Sequence, residues 1–186
     1  MALVISIPIG VITAARPNTF ADVSGTLFAM AGVAMPHFWL GILLILLFSV
    51  TLGWVPSAGY VPIWEDPWGN LSRMMMPGFA LGASHAASLM RQTRSSMLEV
   101  LGQDYIRTAH AKGLTEVAVL SRHALRNALI PVITVLGMQT SRIIGGAVVI
   151  ETLFQMPGIG KFVVEGVMTH DYLAVQGVLL LVGLWV

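Results

Sequence analysis

Tyr105-Ile106-Arg107-Thr108-Ala109-His110-Ala111-Lys112-Gly113-Leu114, followed after a short gap by Arg122-His123-Ala124-Leu125-Arg126-Asn127-Ala128-Leu129-Ile130-Pro131, is a charged, helix-forming stretch. Apolar segments long enough to cross a bilayer lie on either side of it. A polar helical island between two such segments must sit in water on one side of the membrane, because lipid offers its side chains no partners. Its natural role there is to meet a soluble partner.

The rest of the composition agrees. Of 186 residues, 56% are hydrophobic and only 10% charged, whereas soluble domains carry about 25% charged residues. The absence of cysteine excludes disulfides and thiolate metal sites. The net charge of +1 is uninformative, but the placement of charge is not. Arg91, Arg94, Arg107, Lys112, Arg122 and Arg126 gather in one segment with Glu99, Asp104 and Glu116. The segments Gly53 to Arg73 and Glu151 to Asp171 carry a balanced or acidic set. Cytoplasmic loops are enriched in Lys and Arg, so the first segment is assigned to the cytoplasm and the other two to the outside.

The apolar segments then read as an all-α, polytopic transmembrane bundle of about five spans, forming a single membrane domain over residues 1–186. Met1 to Ala15 is shorter than the roughly 20 residues a span needs. It lacks the basic start of a signal peptide and is read as the tail of a helix begun earlier. Leu27 to Leu52 is the clearest span, bent at Pro36. Met74 to Met90 is a short span rich in small residues, as expected of a helix packed among others. Ala128 to Ile150 is a further span. The apolar run from Asp171 is cut at Val186. Trp54, Trp64 and Trp68 in the segment between the second and third spans suit a membrane–water boundary.

Residues 98–127 form the cytoplasmic segment. Leu98 to Lys112 reads as a helix closed by Gly113 in the left-handed conformation. Thr115 is placed to cap a second helix running to about Asn127, with Glu116 in its first turn. Ile106, Ala109, Gly113, Val117, Leu120 and Ala124 recur at steps of three or four and predict an apolar stripe. A partner can dock against such small residues. The same pattern fits a helix resting on lipid headgroups, and periodicity does not separate the two readings.

Asp104 to Pro131 also resembles the cytoplasmic loop of the permease subunits of binding-protein-dependent ABC importers. Arg107-Thr108-Ala109 stands where the general family has Glu-Ala-Ala, Gly113 at its glycine, and His123-Ala124-Leu125-Arg126 at its Ile-x-Leu-Pro. Only Ala109, Gly113 and Leu125 match the general form. The departures agree with the dipeptide, oligopeptide and nickel branch, whose loop resembles Asp-Tyr-x-Arg-Thr-Ala-x-Ala-Lys-Gly-Leu. Met35-Pro36 with Phe38-Trp39-Leu40-Gly41, Gly145 to Phe154, Pro157-Gly158-Ile159-Gly160, Asp171-Tyr172 and Val175-Gln176-Gly177 are similar to that branch too. The resemblance thus covers nearly the whole chain.

It implies a transport subunit working beside a second permease subunit, two cytoplasmic ATPase subunits and an extracytoplasmic solute-binding protein. The setting it implies is the inner or plasma membrane of a bacterial or archaeal cell, with membrane lipid around the spans. Peptides are the first solute class it suggests. The ATPase-coupling positions it carries over are Tyr105, Arg107, Thr108, Ala109, Ala111, Lys112, Gly113 and Leu114. No Walker motif is present, so the driving energy must come from a partner. No cofactor, metal or nucleic acid is expected.

Gln139 and Arg142 are candidates for a translocation path, since polar and charged groups within a span are costly and often functional. Against this, Gln139 can instead bond to a neighbouring helix and Arg142 can snorkel to the boundary. The rival readings are an intramembrane enzyme centred on His85 or Arg142, and an ATP-independent channel subunit. Ser84 and His85 are neighbours on a helix and point roughly 100° apart, which prevents a nucleophile–base pair between them. The five histidines show no helical metal-site spacing. Asn70-Leu71-Ser72 matches a glycosylation sequon of the kind that arises by chance.

Overall fold

Apolar residues, three internal prolines and many glycines give helices that stop at local signals instead of running to uniform lengths. The computed structural model describes residues 2–185, apart from the side chains of Ser141, Arg142, Ile144 and Trp185. Among them no strand occurs, so the all-α class read from the sequence is the observed one. The helices are α1 (Ala2–Ala15), α2 (Phe20–Ala34), α3 (His37–Leu44), α4 (Pro67–Leu101), α5 (Asp104–Ala111), α6 (Glu116–Ala118), α7 (Leu125–Leu153), α8 (Ile159–Met168) and α9 (Tyr172–Trp185). Two π-helical segments, Ile45–Thr51 and Val119–Ala124, extend α3 and join α6 to α7.

The expected span Leu27 to Leu52 is broken, not merely bent. Pro36 has extended geometry and stands at the N-cap of α3, and residues before proline are pushed out of the helical region, so α2 ends at Ala34. The expected span Met74 to Met90 lies inside the 35-residue α4. The expected helix Leu98 to Lys112 is likewise divided: α4 stops at Leu101 and α5 starts at Asp104, with Gly102 between them. Conversely, the expected stop near Asn127 does not occur, because the π-helical turns carry the chain straight into α7. Glu116–Thr140 is 25 residues long and apolar enough to cross a membrane, and α2 passes the same test only when joined to His37–Thr51.

The chain folds as two compact units: Met1–Ala34 with Gly82–Gln139, and Met35–Leu81 with Thr140–Val186. In the first, α1 and α2 form a helical hairpin whose turn places Asn18 at φ +61. A Cβ on Gly10 would lie 2.7 Å from Thr93 Cβ, and one on Gly25 would lie 2.8 Å from Thr13 Cγ2. Gly32 meets Ala87 at 3.1 Å by the same measure, and Ala29, Ala87 and Met90 form a small cluster beside them. Gly25, Ala29 and Gly32 recur at heptad-like steps, so the backbone of α2 lies close to α4. In lipid, where apolar burial drives helices together only weakly, small residues at the crossing are what permit that contact.

In the second unit, Met76, Ala80, Ile150 and Phe154 form the core, joined by Leu44, Phe48 and Leu153. Phe154 lies under Gly41, and its carbonyl accepts from the Gly59 amide at 2.9 Å. Asn70, the sequon residue, is nearly buried and donates through Nδ2 to the Val61 carbonyl at 2.6 Å, so its amide is structural. Pro157 and Gly158 lead into α8, whose first residues are Ile159 and Gly160, with Gly158 at the N-cap. The Glu151 carboxylate occupies the space a Cβ on Gly158 would need, and its Oε2 accepts from the Lys161 amide at 2.8 Å. It thereby does the work of an N-cap side chain.

Gly10→Leu should lower the stability of the detergent-purified chain by about 1–3 kcal/mol through overpacking against α4. Gly177→Leu, at an α9 position with nothing within 4 Å of an added Cβ, should change it by less than about 0.5 kcal/mol. Denaturant midpoints of the two variants, compared with the parent, check this.

Candidate functional site

α5 begins with Asp104 in its first turn, where a carboxylate suits the positive end of the helix dipole. It closes at Gly113, with φ +76. The Gly113 amide donates to the His110 carbonyl at 2.9 Å and the Leu114 amide to the Ala109 carbonyl at 3.4 Å. This is the Schellman arrangement, and the left-handed residue at its centre is what the sequence reading required of Gly113. Thr115 stands at the N-cap of α6 as expected, but its side chain makes no capping bond.

The apolar stripe does not face outward as a whole. Ile106, Ala109, Val119 and Ala124 are buried with Ala14 of α1, Met97 of α4 and Ala128 of α7, and Leu120 packs against them. Gly113 and Val117 are exposed. The stripe reads as one surface, but the turn at Gly113 redirects the chain: the two ends of the stripe pack together with the ends of α1, α4 and α7, and Gly113 and Val117 in its middle stay outside. Of the eight residues singled out, Ala109 therefore lies beneath the surface. Tyr105, Arg107, Thr108, Ala111, Lys112, Gly113 and Leu114 are exposed together on one short helix and its closing turn.

This surface is held from behind. Asn127 Nδ2 donates to Tyr105 Oη at 2.7 Å, tying the start of α5 to the start of α7. Thr108 Oγ1 donates to the Asp104 carbonyl at 3.1 Å. The Arg107–Asp104 pair, at 3.3 Å with both side chains largely in solvent, contributes little. Arg122 and Arg126 are exposed nearby in sequence, so the segment carries more positive than negative charge outward.

Gln139 is nearly buried and bonds across to α4. Its Nε2 donates to Ser88 Oγ at 2.9 Å, and its Oε1 is 3.2 Å from His85 Nδ1. With the amide in this orientation, His85 Nδ1 is the donor. A polar bridge between two helices is the reading the sequence offered as the alternative to a path residue. Arg142, the other path candidate, has its side chain outside the described residues. No group of His, Asp or Glu side chains suited to a metal ion occurs among the described residues.

One pair was missed by sequence reasoning. Asp22 in α2 is 3% exposed, and it accepts from Arg94 of α4 through both oxygens, Nε to Oδ1 at 2.6 Å and Nη2 to Oδ2 at 2.7 Å. The Asn18 amide also donates to Oδ2, at 2.9 Å. The available signal was that Asp22 is the only acidic residue before Glu65. A lone carboxylate in an apolar stretch needs a cation, and a partner 72 positions away is not identified by spacing.

These features define a helical membrane bundle with a polar helix–glycine–helix element exposed at one place. The family model for the inner membrane component of binding-protein-dependent transport systems matches residues 6–186, and the chain belongs to that family. It is 47% identical over 98% of its length to a protein of Brucella suis biovar 1 provisionally named a peptide transport system permease protein. It is 45% identical over 92% of its length to the oligopeptide transport system permease protein AppB of Bacillus subtilis. It is 40% identical over 97% of its length to the dipeptide transport system permease protein DppB of Escherichia coli K12. The alignments cover 60%, 55% and 60% of those three proteins, so the chain spans less than two thirds of each.

Ile106→Ala should destabilise the protein by about 2–5 kcal/mol, because it leaves a cavity in a core shared by four helices. Thr108→Ala, on the opposite face of α5, should cost less than about 0.5 kcal/mol. Thermal unfolding of the two variants separates the buried face from the exposed one.

Proposed function

We propose that the chain is the membrane-spanning permease part of an ABC importer for peptides or similar small solutes. In this reading it crosses the inner membrane several times and forms the translocation path with a second permease subunit. Two ATPase subunits bind on the cytoplasmic side, and a solute-binding protein delivers the solute from outside. The observation that carries the reading is the exposed face of α5 and its Gly113 turn, in a chain whose relatives bear the names of peptide permeases.

The mechanism follows from where α5 is anchored. Its outer face offers Tyr105, Arg107, Thr108, Ala111, Lys112, Gly113 and Leu114 to the ATPase. Its inner face, through Ile106 and Ala109, is packed on the ends of α1, α4 and α7. When the ATPases close on ATP they displace α5, and the helices packed on it follow. The cavity then opens toward the binding protein, and ADP release returns it to the cytoplasm. ATP moves the spans only by as much as the ATPase's contact with α5 differs between the two states. Gln139, bonded to His85 and Ser88, and Arg142 are assigned to the helices that line or support the path.

Gly113→Trp should leave membrane insertion intact while cutting uptake per ATP hydrolysed by about ten-fold or more, because the bulk obstructs docking. Any side chain at φ +76 is strained by about 1–2 kcal/mol. Gly113→Ala shares that strain without the bulk and is the control. Wild-type uptake per ATP in Gly113→Trp would remove α5 as the docking element. ATP-independent uptake by the parent would instead indicate a channel.

A further inference from the structure

We propose that Asp22 and Arg94 are positioning residues that carry the displacement of α5 to α2, so that α2 and the Gly82–Leu101 part of α4 move as one body during transport. The inference rests on the permease reading above, and it concerns residues outside the docking surface.

The chain of contacts lies within one compact unit. Ile106 and Ala109 of α5 pack on Met97 of α4. Arg94 lies three residues before Met97, about one helical turn away, and it grips Asp22 with two short, parallel hydrogen bonds. Such a fork fixes orientation as well as distance. The same carboxylate accepts from the Asn18 amide, so it also holds the turn between α1 and α2. Beyond the pair, α2 touches its neighbours through small residues: Gly25 beside Thr13 and Met90, Ala29 with Ala87 and Met90, and Gly32 beside Ala87.

Small smooth contacts allow helices to approach, but they resist sliding and rotation poorly. Most large side chains of α2 point away from this seam: Phe20, Val23, Leu27, Phe28 and Met30 are all exposed. The ion pair is therefore what sets the rotation and register of α2 on α4. Its carboxylate is almost wholly buried, while the arginine side chain is 27% exposed. Moving α2 away from α4 would strand a buried charge, which the fold resists strongly.

The test uses the complete transporter, with its partner permease, ATPases and binding protein, in lipid vesicles and with a labelled mixture of di- and tripeptides. Asp22→Asn keeps the shape of the side chain and removes its charge. Uptake per ATP should fall about ten-fold, with the amount of subunit in the membrane and ATP hydrolysis within about two-fold of the parent. The double variant Asp22→Arg with Arg94→Asp should recover most of the loss. A merely structural pair would lower subunit amount and uptake together and leave uptake per ATP unchanged, and that result overturns the proposal.

A second measurement does not require transport. The sequence has no cysteine, so with cysteine-free partner subunits and flanking segments Val23→Cys on α2 and His110→Cys on α5, both exposed and both outside the docking set, accept spin labels selectively. In the parent the distance between the labels should be unchanged by ATP, and in Asp22→Asn it should shift or broaden. A distance that changes with ATP in the parent, or is indifferent to ATP in Asp22→Asn, overturns the proposal. A parent complex without ATP-dependent uptake overturns the permease reading instead; the resting label distance, narrow in the parent and broadened in Asp22→Asn, then decides whether the pair holds α2 to α4, and equal resting distributions in the two overturn that.

Discussion

The face of α5 that carries Ile106 and Ala109 is taken up by the protein's own core, and this constraint determines what the rest of the segment is able to do. A helix of eight residues is too short to be stable in water by its own hydrogen bonds. It exists because two of its side chains are buried against Ala14, Met97, Val119, Ala124 and Ala128. What remains for a partner is the opposite face, which is polar and basic, with a glycine turn at its end. In the proposed permease, docking there leaves the core intact, so force applied to α5 reaches the ends of α1, α4 and α7 packed on it without first unpacking anything.

The helix ends show how the chain stays connected where helices stop. Gly113, Gln155 and His170 each adopt positive φ after a helix. At each, two backed-up amide bonds close the end: to His110 and Ala109, to Thr152 and Glu151, and to Val167 and Gly166. These bonds satisfy carbonyls that the helix would otherwise leave open, which matters most at the depth of lipid, where no water can replace them. By contrast, the join from α6 to α7 has no stop at all. The π-helical segment Val119–Ala124 widens the helix and lets it continue. Val119–Ala124 and the start of α7 are therefore continuous helix, whereas α4 and α5 are two helices, separated at Gly102.

These differences explain what the sequence made legible. Gly113 was readable because only glycine takes φ +76 without strain, so its type announces its geometry. Gln155 and His170 occupy the same conformation with side chains that announce nothing, and their turns were invisible. Pro36 was readable as a disruption but not as a complete break, since a proline permits either outcome. The apolar stripe was correctly periodic, but periodicity does not say whose core it joins. Ile106 and Ala109 entered this protein's own, while Gly113 and Val117 stayed outside it. The Asp22–Arg94 pair and the Glu151 cap on α8 depend on side chains meeting across the fold, and no local pattern encodes them.

The two buried or half-buried carboxylates also show why a membrane subunit retains costly charges. Glu151 closes the start of α8 within its own unit, and Asp22 closes the turn before α2 while holding Arg94 in the other. Neither needed to be ionic for stability alone, since apolar packing of similar shape is often as good or better. What an ion pair adds is intolerance of misplacement: separating Asp22 from Arg94 leaves a buried charge at a cost of about 3–5 kcal/mol. A helix seam built from Gly25, Ala29 and Gly32 has no comparable penalty for a small rotation. On the permease reading proposed above, a subunit that moves its spans repeatedly, and brings them back to one register each time, gains from placing a single strict contact at the end of a permissive seam.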